Sequence, residues 1–231
     1  MVPDRDTDPS LLYEDERRAF VSRLRRATIG QLSISVAATP AWSVLDVLAH
    51  VVGITADLNA QRFGNGDGDA WTDAQVSQRR GRSIDDLAAE WDREAALFEE
   101  GLRLFGYQFG AHYLGDLLQH VCDVEAALGR SAARDDLAVT VGLDFYLASL
   151  DDTLRLADTG ALTVRTGDES WTLGSGDVVA AVSASAYELF RALGGRRTDD
   201  EIAALGWSGD RDQFAGLLSR YPVPQHSLGE P

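Results

Sequence analysis

Two histidines and one aspartate have the residue types and the spacing of a metal-binding site. His50 lies beside the apolar stripe of a predicted helix, while Asp116 and His120 are four residues apart on a later helix and project from the same face. Because a carboxylate or an imidazole buried without a partner costs several kcal/mol, these groups need partners in the core. Two histidines and a carboxylate would leave one coordination position open, as catalytic metal sites do.

A second interpretation of the same residues needs no metal. His120 could be a core histidine that is hydrogen-bonded to Asp116, and His50 could meet a backbone carbonyl elsewhere. An acid and a histidine at this spacing are a common feature of helices, so the spacing alone favours this core interpretation. Under both interpretations the three side chains face the interior.

Three neighbours on the later helix leave further alternatives open. His112 is either an alternative ligand, four residues before Asp116, or a surface or capping histidine. Asp123 either orients His120 or is a solvated acid. Cys122 points about 200° around the helix from His120, which predicts a packing role for this thiol.

Two arginines further along the chain are candidates for binding an anionic group. Arg196 and Arg197 follow a Gly-Gly turn, and a guanidinium pair of this kind could hold a carboxylate of a thiol or of a substrate. The alternative is a solvated surface pair. His226 lies in a proline-containing tail and is expected to be inert.

Composition narrows the class of protein. The formal charge of the 231 residues is −16, from 21 basic and 37 acidic residues, and this sign disfavours binding to nucleic acid. Every basic residue is arginine, which excludes Schiff-base lysine chemistry. No run reaches the roughly 18 to 20 apolar residues of a membrane helix, and the start of the chain is unlike a signal peptide. With a single cysteine, these features predict a cytoplasmic protein that does not bind membranes.

Hydrophobic periodicity predicts that the first two-thirds of the chain is helical. Capping boxes at Ser43 and Ser83 predict helices that start directly after these residues. The glycine- and aspartate-rich stretch 64–75 is predicted to be a loop. The other predicted helices cover about residues 11–36, 109–128 and 136–156.

The pattern changes after the last of these helices. Residues 161–182 contain short β-branched runs separated by glycine-rich turns, which predict hairpins, and a helix follows near residues 184–195. The predicted class is therefore α+β, with a four- or five-helix bundle over residues 1–158 and a small α/β domain over residues 159–231.

Two motifs surround the candidate histidines. The first, WSVLDVLAHVV, places a tryptophan, a small hydroxyl residue and an acid before a histidine: Trp42, Ser43, Asp46 and His50. The second, DLLQHVCDVEAALG, places a carboxylate four residues before a histidine and ends on a glycine: Asp116, His120 and Gly129. Together these motifs resemble the mycothiol-dependent maleylpyruvate isomerase family, a branch of the DinB-like helical bundles. The resemblance continues into SAYELFRALGGRRTDDEIAAL, so it covers nearly the whole chain.

The resemblance implies a metal-binding protein that uses a small thiol. His50, Asp116 and His120 would bind a divalent ion, usually zinc in this family, and the ion would activate mycothiol. The thiolate would then attack a small electrophilic substrate, giving thiol transfer or a cis–trans isomerisation, while Arg196 and Arg197 orient anionic groups. Because a metal lowers the pKa of a bound thiol, this chemistry needs no nucleophile from the protein.

One ligand position departs from the family pattern. The family usually has glutamate where this chain has Asp116, whose side chain is one methylene shorter but still a competent ligand. A rival interpretation comes from a different class: a metal-binding but non-catalytic protein, stress-related or regulatory, with the same fold.

Overall fold

Capping boxes start two long helices in the computed structural model, which describes residues 5–64, 68–132, 137–214 and 216–231. Ser43 accepts a hydrogen bond from the backbone N–H of Asp46 at 3.2 Å, and the Asp46 carboxylate accepts one from the backbone N–H of Ser43 at 3.0 Å. Ser83 and Asp86 repeat this arrangement. Helices α3 (Val44–Asn59) and α5 (Ile84–Leu104) therefore begin where the sequence predicts.

The other elements complete an α+β fold, which confirms the predicted class. The helices are α1 (Pro9–Leu24), α2 (Ile29–Leu32), α4 (Gly68–Ser77), α6 (Tyr107–Ala127), α7 (Leu137–Ala157), α8 (Ala186–Leu193) and α9 (Asp199–Ala203). The strands are β1 (Ser35–Val36), β2 (Thr39–Ser43), β3 (Ala161–Thr166), β4 (Glu169–Leu173), β5 (Val178–Ser183) and β6 (Gly206–Gly209). A short 3-10 helix covers Arg211–Phe214.

Two predictions about the N-terminal elements are wrong. The run 11–36 is not one helix, because Thr28 adopts an extended conformation and caps the separate helix α2, after which β1 and β2 form a hairpin. The predicted loop 64–75 contains the first eight residues of α4. Its polar sequence has low helix propensity, but α4 buries Gln75 and Val76, and packing outweighs propensity here. Residues 65–67 of that predicted loop lie outside the described residues.

Tertiary contacts divide the chain into two compact units. The helical unit contains Asp8–Gly110, His120–Ala132 and Pro231, and the sheet unit contains Met1–Thr7, Ala111–Gln119 and Ala133–Glu230. These units do not follow a single cut in the sequence. The predicted domain boundary at residues 158 and 159 falls between α7 and β3, where helix gives way to strand, and it stays a prediction.

The helical unit is built around a fully buried tryptophan. The indole N–H of Trp91 donates to the Thr55 hydroxyl at 3.0 Å, and the Tyr13 hydroxyl lies 3.2 Å from the same oxygen. Arg17 is buried nearby and donates to Glu99 at 3.0 Å. The core of α1, α3 and α5 thus satisfies its polar groups internally, as buried polar groups require.

The sheet unit contains a four-stranded mixed sheet in the order β4-β3-β5-β6. Strands β3 and β4 form the predicted antiparallel hairpin, whereas β5 pairs in parallel with β3 rather than returning against β4. The Asp151 carboxylate of α7 accepts a hydrogen bond from the backbone N–H of Gly174 at 2.7 Å and so fixes the turn after β4. Over the described residues, every helix is too short or too polar to span a bilayer.

Two glycines allow α6 and α7 to approach closely within the sheet unit. A Cβ atom added to Gly142 would lie 3.0 Å from the Cα atom of Gly115 and 3.0 Å from Cε2 of Phe190. Both neighbours are fully or nearly fully buried and cannot move into solvent. The crossing of these two helices therefore depends on the absence of a side chain at position 142.

We expect Gly142→Ala to destabilise the protein by roughly 1–3 kcal/mol, because the added methyl group overpacks this crossing. The matched control is Gly101→Ala in the last turn of α5, where an added Cβ meets no atom within 4 Å. That control should be neutral or stabilising by about 0.5–1 kcal/mol, since alanine favours helix. Urea unfolding of both variants makes the comparison, and equal effects would show that the crossing has room for a methyl group.

Candidate functional site

His50 and His120 meet in the interior of the helical unit. His50 lies on α3 and His120 on the C-terminal part of α6, and their side chains are almost completely buried. The ring centroids are 4.9 Å apart and the ring planes are nearly perpendicular, at 80°. Trp42 packs against His50, with ring centroids 4.8 Å apart. The sequence prediction that both histidines face the core is correct.

Gln75 fixes the protonation pattern of the His50 ring. Its Oε1 atom lies 2.8 Å from Nδ1 of His50, and its Nε2 atom donates to the Asp57 carboxylate at 3.1 Å. Because the amide nitrogen is committed to a carboxylate, the amide oxygen must face His50, and Nδ1 must carry the proton. The Nε2 atom of His50 is then the one with a lone pair, which is the form that binds metals.

The position of Gln75 depends on a close approach between α3 and α4. A Cβ atom added to Gly53 would lie 2.5 Å from the Cβ atom of Gln75, so only glycine allows this contact. Arg79 donates to the backbone oxygen of Gln75 at 3.1 Å and to Glu90 at 2.6 Å, which ties α4 to α5. Sequence analysis missed Gln75, because it assigned this stretch to a loop.

The buried face of α6 carries an acid close to His120. Asp123 is buried, and its carboxylate lies 3.8 Å from Nδ1 of His120. Burial contradicts the solvated acid among the two alternatives left open by the sequence, whereas 3.8 Å is too long for a hydrogen bond between these two atoms, so the orienting role stays a prediction. Cys122 is buried, as expected from its place on the helix.

Asp116 precedes His120 by one turn of α6 and is half-buried in the sheet unit. Its charge acts on two tyrosines of that unit. Burial and, next, the charge of Asp116 raise the pKa of Tyr113 to about 12. Burial, Tyr221 and Asp116 raise the pKa of Tyr146 strongly, while Arg196 acts in the opposite direction. Asp116 therefore lies among two neutral tyrosines and a guanidinium.

Within the described ranges, no three histidine, cysteine, aspartate or glutamate side chains are grouped so that they could hold a metal ion. The histidine pair supplies two imidazoles, and the Gln75 contact puts the lone pair of the His50 ring on Nε2. This donor chemistry fits a divalent ion. The third ligand, Asp116, stays a prediction from the helical spacing.

Comparison with known proteins places the N-terminal region in a family. Residues 13–108 match the family described as the mycothiol maleylpyruvate isomerase N-terminal domain. This segment of the chain is therefore similar to the N-terminal domain of that family. The resemblance predicted from the two motifs is confirmed, although the matched segment contains His50 and Gln75 but ends before Asp116 and His120.

Two solved structures of the mycothiol-dependent maleylpyruvate isomerase are similar in fold, one of them of a mutant with a histidine replaced by alanine. Their TM-scores are 0.55 and 0.56, with 13% and 14% sequence identity. Each comparison covers 87% of this chain and 92% of the other. At this identity the likeness establishes the fold. No curated protein matches the sequence.

The two candidate arginines beyond the family domain have different surroundings. Arg197 is buried and donates to Glu188 at 2.8 Å and to Glu230 at 2.9 Å. Arg196 is half-buried, donates to the backbone oxygen of Gly194 at 2.8 Å, and lies close enough to Tyr146 for its charge to oppose the rise in the pKa of that phenol. Arg197 thus binds carboxylates of the chain itself, whereas the charges of Arg196 and Asp116 both act on Tyr146. Their predicted roles stay predictions.

His112 stacks on aromatic rings in the sheet unit. Its ring lies 4.1 Å from that of Phe145 at an angle of 14°, and the Arg220 guanidinium lies 5.1 Å from the Phe145 ring centroid. Burial, assisted by the charge of Arg220, lowers the pKa of His112 to about 4. His112 is therefore a neutral stacking group at pH 7, partly exposed and inside α6 rather than at either cap. His226 is exposed.

We expect Gln75→Leu to reverse the tautomer preference of His50, because the acceptor of its Nδ1 proton is lost. In the wild type, nitrogen chemical shifts in NMR should show His50 protonated on Nδ1; protonation on Nε2 would contradict the assignment. The variant also leaves buried polar groups without partners and should lose about 1–3 kcal/mol of stability. Gln78→Leu, an exposed position on the turn after α4, is the matched control.

The depressed pKa of His112 predicts a specific loss of stability in acid. The unfolded chain takes up a proton near pH 6.5, whereas the folded protein resists it down to about pH 4. Stability should therefore fall as the pH drops through this window, by up to about 3 kcal/mol. His112→Phe keeps the stacking and removes the titration. As the pH drops, the unfolding free energy of wild type should fall relative to that of the variant. A constant difference between the two would refute the low pKa.

Proposed function

We propose that this protein is a divalent-metal-dependent enzyme that uses a mycothiol-type thiol to isomerise, or to transfer the thiol to, a small electrophilic substrate. The family domain supports the thiol and the isomerisation, because relatives of the same fold are mycothiol-dependent maleylpyruvate isomerases. The observation that carries the proposal is the buried pair His50 and His120, in which the contact with Gln75 puts the proton of His50 on Nδ1 and its lone pair on Nε2.

The proposed ligands are His50, His120 and Asp116, with zinc as the expected ion. Asp116 precedes His120 by one helical turn, the spacing at which two side chains of one helix share a face. A bound ion of this kind lowers the pKa of a coordinated thiol and so supplies a thiolate at neutral pH. Three protein ligands leave a position open for that thiol.

The remaining side chains position these groups. Gln75 holds the His50 ring and Asp123 orients His120, while Trp42 covers one face of His50. Arg196 is proposed to bind an anionic group of the thiol or substrate. The lone cysteine is buried and the chain has no lysine, so the external thiol supplies the nucleophile. We place this chemistry in the cytoplasm, where low-molecular-weight thiols stay reduced.

Elemental analysis of the purified protein tests the metal site. We expect close to one divalent ion per chain, and a loss of at least tenfold in occupancy for His50→Ala, His120→Ala and Asp116→Ala. His226→Ala, an exposed histidine in the tail, is the matched control and should retain the metal. If Asp116→Ala keeps full occupancy, the third ligand is a different group. If reconstituted wild type binds no metal, the whole proposal fails.

A thiol assay then separates the enzyme from its rival. With metal-loaded protein, conversion of maleylpyruvate to its trans isomer should require mycothiol and should disappear in His50→Ala. Metal binding without turnover of this or other small electrophiles would favour the non-catalytic, stress-related or regulatory protein. Turnover that survives removal of the metal would contradict the proposed chemistry.

A further inference from the structure

Three side chains of the sheet unit converge on one carboxylate. The Nε atom of Arg191 donates to Oε1 of Glu230 at 2.9 Å, and Arg197 donates to Oε2 at 2.9 Å. The Tyr187 hydroxyl donates to Oε2 at 3.0 Å. A second hydrogen bond joins Nη2 of Arg191 to Oε1. Both oxygens of the carboxylate are thus held by charged or polar donors, the arrangement with which proteins recognise carboxylate groups.

The arginine at the centre of this cluster is fixed independently of Glu230. Arg191 is fully buried, and its Nη1 atom donates to the backbone oxygen of Gln119 at 3.1 Å and to the side-chain oxygen at 2.5 Å. Gln119 in turn donates to the backbone oxygen of Phe190 at 2.8 Å. Gly194 makes room for this amide, since a Cβ atom there would lie 2.0 Å from its nitrogen. The guanidinium is therefore held in place before any carboxylate arrives.

The segment that carries Glu230 is attached differently from the rest of the unit. Residues 222–230 contain no helix or strand, and in the part of the chain that the structure describes no backbone–backbone hydrogen bond joins them to the sheet or helices. Gly229 donates only locally, to the Ser227 hydroxyl at 3.3 Å. Side chains anchor this segment instead: Ser227 is hydrogen-bonded to Glu201, and the Glu230 side chain, which is 6% exposed, lies among the two arginines.

The charge balance of the cluster favours an anion. Burial acts to raise the pKa of Glu230, but Arg191 and Arg197 outweigh it and hold the pKa below its usual value. Without Glu230, Arg197 would still pair with Glu188, but buried Arg191 would lose the carboxylate that accepts from its Nε and Nη2 atoms, at a desolvation penalty. A groove of about 340 Å³ runs alongside and is lined by Arg197, Glu201, Leu205 and Leu228, among others. It offers space for the rest of a molecule whose carboxylate occupies the cluster.

We propose that Tyr187, Arg191 and Arg197 form a binding site for the carboxylate of a small organic acid, and that the Glu230 side chain occupies this site from within the chain. A free carboxylate would compete with Glu230 and release residues 222–230. The inference goes beyond the proposed function, because it uses none of the proposed metal ligands, and either can fail without the other. It also assigns a site, the cluster with Tyr187 and Arg191, to the predicted binding of an anion by Arg197.

Acetate rescue of a vacated site tests this inference. Glu230→Ala removes the internal carboxylate and should lower the melting temperature; added acetate should restore it with saturable dependence on concentration. Wild type should respond at least tenfold more weakly at the same acetate concentration, because its own carboxylate is present at high effective concentration. Glu230→Ala combined with Arg197→Met should lose the response. Asp212→Ala, an exposed acid paired with Arg211, is the control for general effects of a lost carboxylate.

Chloride at equal ionic strength separates recognition from screening. If acetate stabilises Glu230→Ala no more than chloride does, the cluster is a structural ion-pair network and the proposal is wrong. Limited proteolysis of wild type with an unspecific protease provides a second measurement that does not require the variant to fold. Acetate, compared with chloride, should speed cleavage within residues 222–230; an unchanged cleavage rate at saturating acetate would also overturn the proposal.

Discussion

The hydrogen bond between Nδ1 of His50 and Oε1 of Gln75 is the interaction on which the helical unit's candidate site depends. It decides which nitrogen of His50 carries the proton, and therefore which nitrogen can act as a ligand. The bond exists only because Gly53 lets α4 approach α3, and it has one direction only because Asp57 takes the amide nitrogen of Gln75. Packing and electrostatics thus act on the same imidazole.

The absence of lysine has a structural consequence. Buried positive charges in both units are guanidinium groups, and each donates to more than one acceptor: Arg17 to Asp92 and Glu99, and Arg191 to Gln119 and Glu230. A planar guanidinium can divide its donors among several partners in fixed directions, which an ammonium group does less well. In a chain with a net charge of −16, such arginines allow carboxylates to enter the interior at a tolerable desolvation cost.

Local signals in the sequence predicted the helix starts and the inward direction of the histidines, because capping boxes and helical period act over a few residues. Val44 begins α3 and Ile84 begins α5 as predicted. Predictions from the sequence were wrong where tertiary packing outweighed the local conformational preference of the residues. The segment containing Gln75 has the sequence of a loop but becomes helical by packing on Gly53. Strand β5 pairs directly with β3, although β4 lies between them in the sequence. A polar residue such as Gln75 carries no recognisable signal until its partners are known.

The polar interior of the helical unit argues for a function beyond stability. His50, Gln75 and Asp57 are all buried, and each carries polar atoms that must find partners or incur a desolvation penalty. Well-packed apolar side chains of similar volume would often give a core of equal or greater stability. Retaining an imidazole whose tautomer is fixed by two further buried polar residues therefore makes physical sense if the imidazole itself has a function. Similarity in fold does not support a particular function, since one fold serves many activities. The support comes from the geometry around His50.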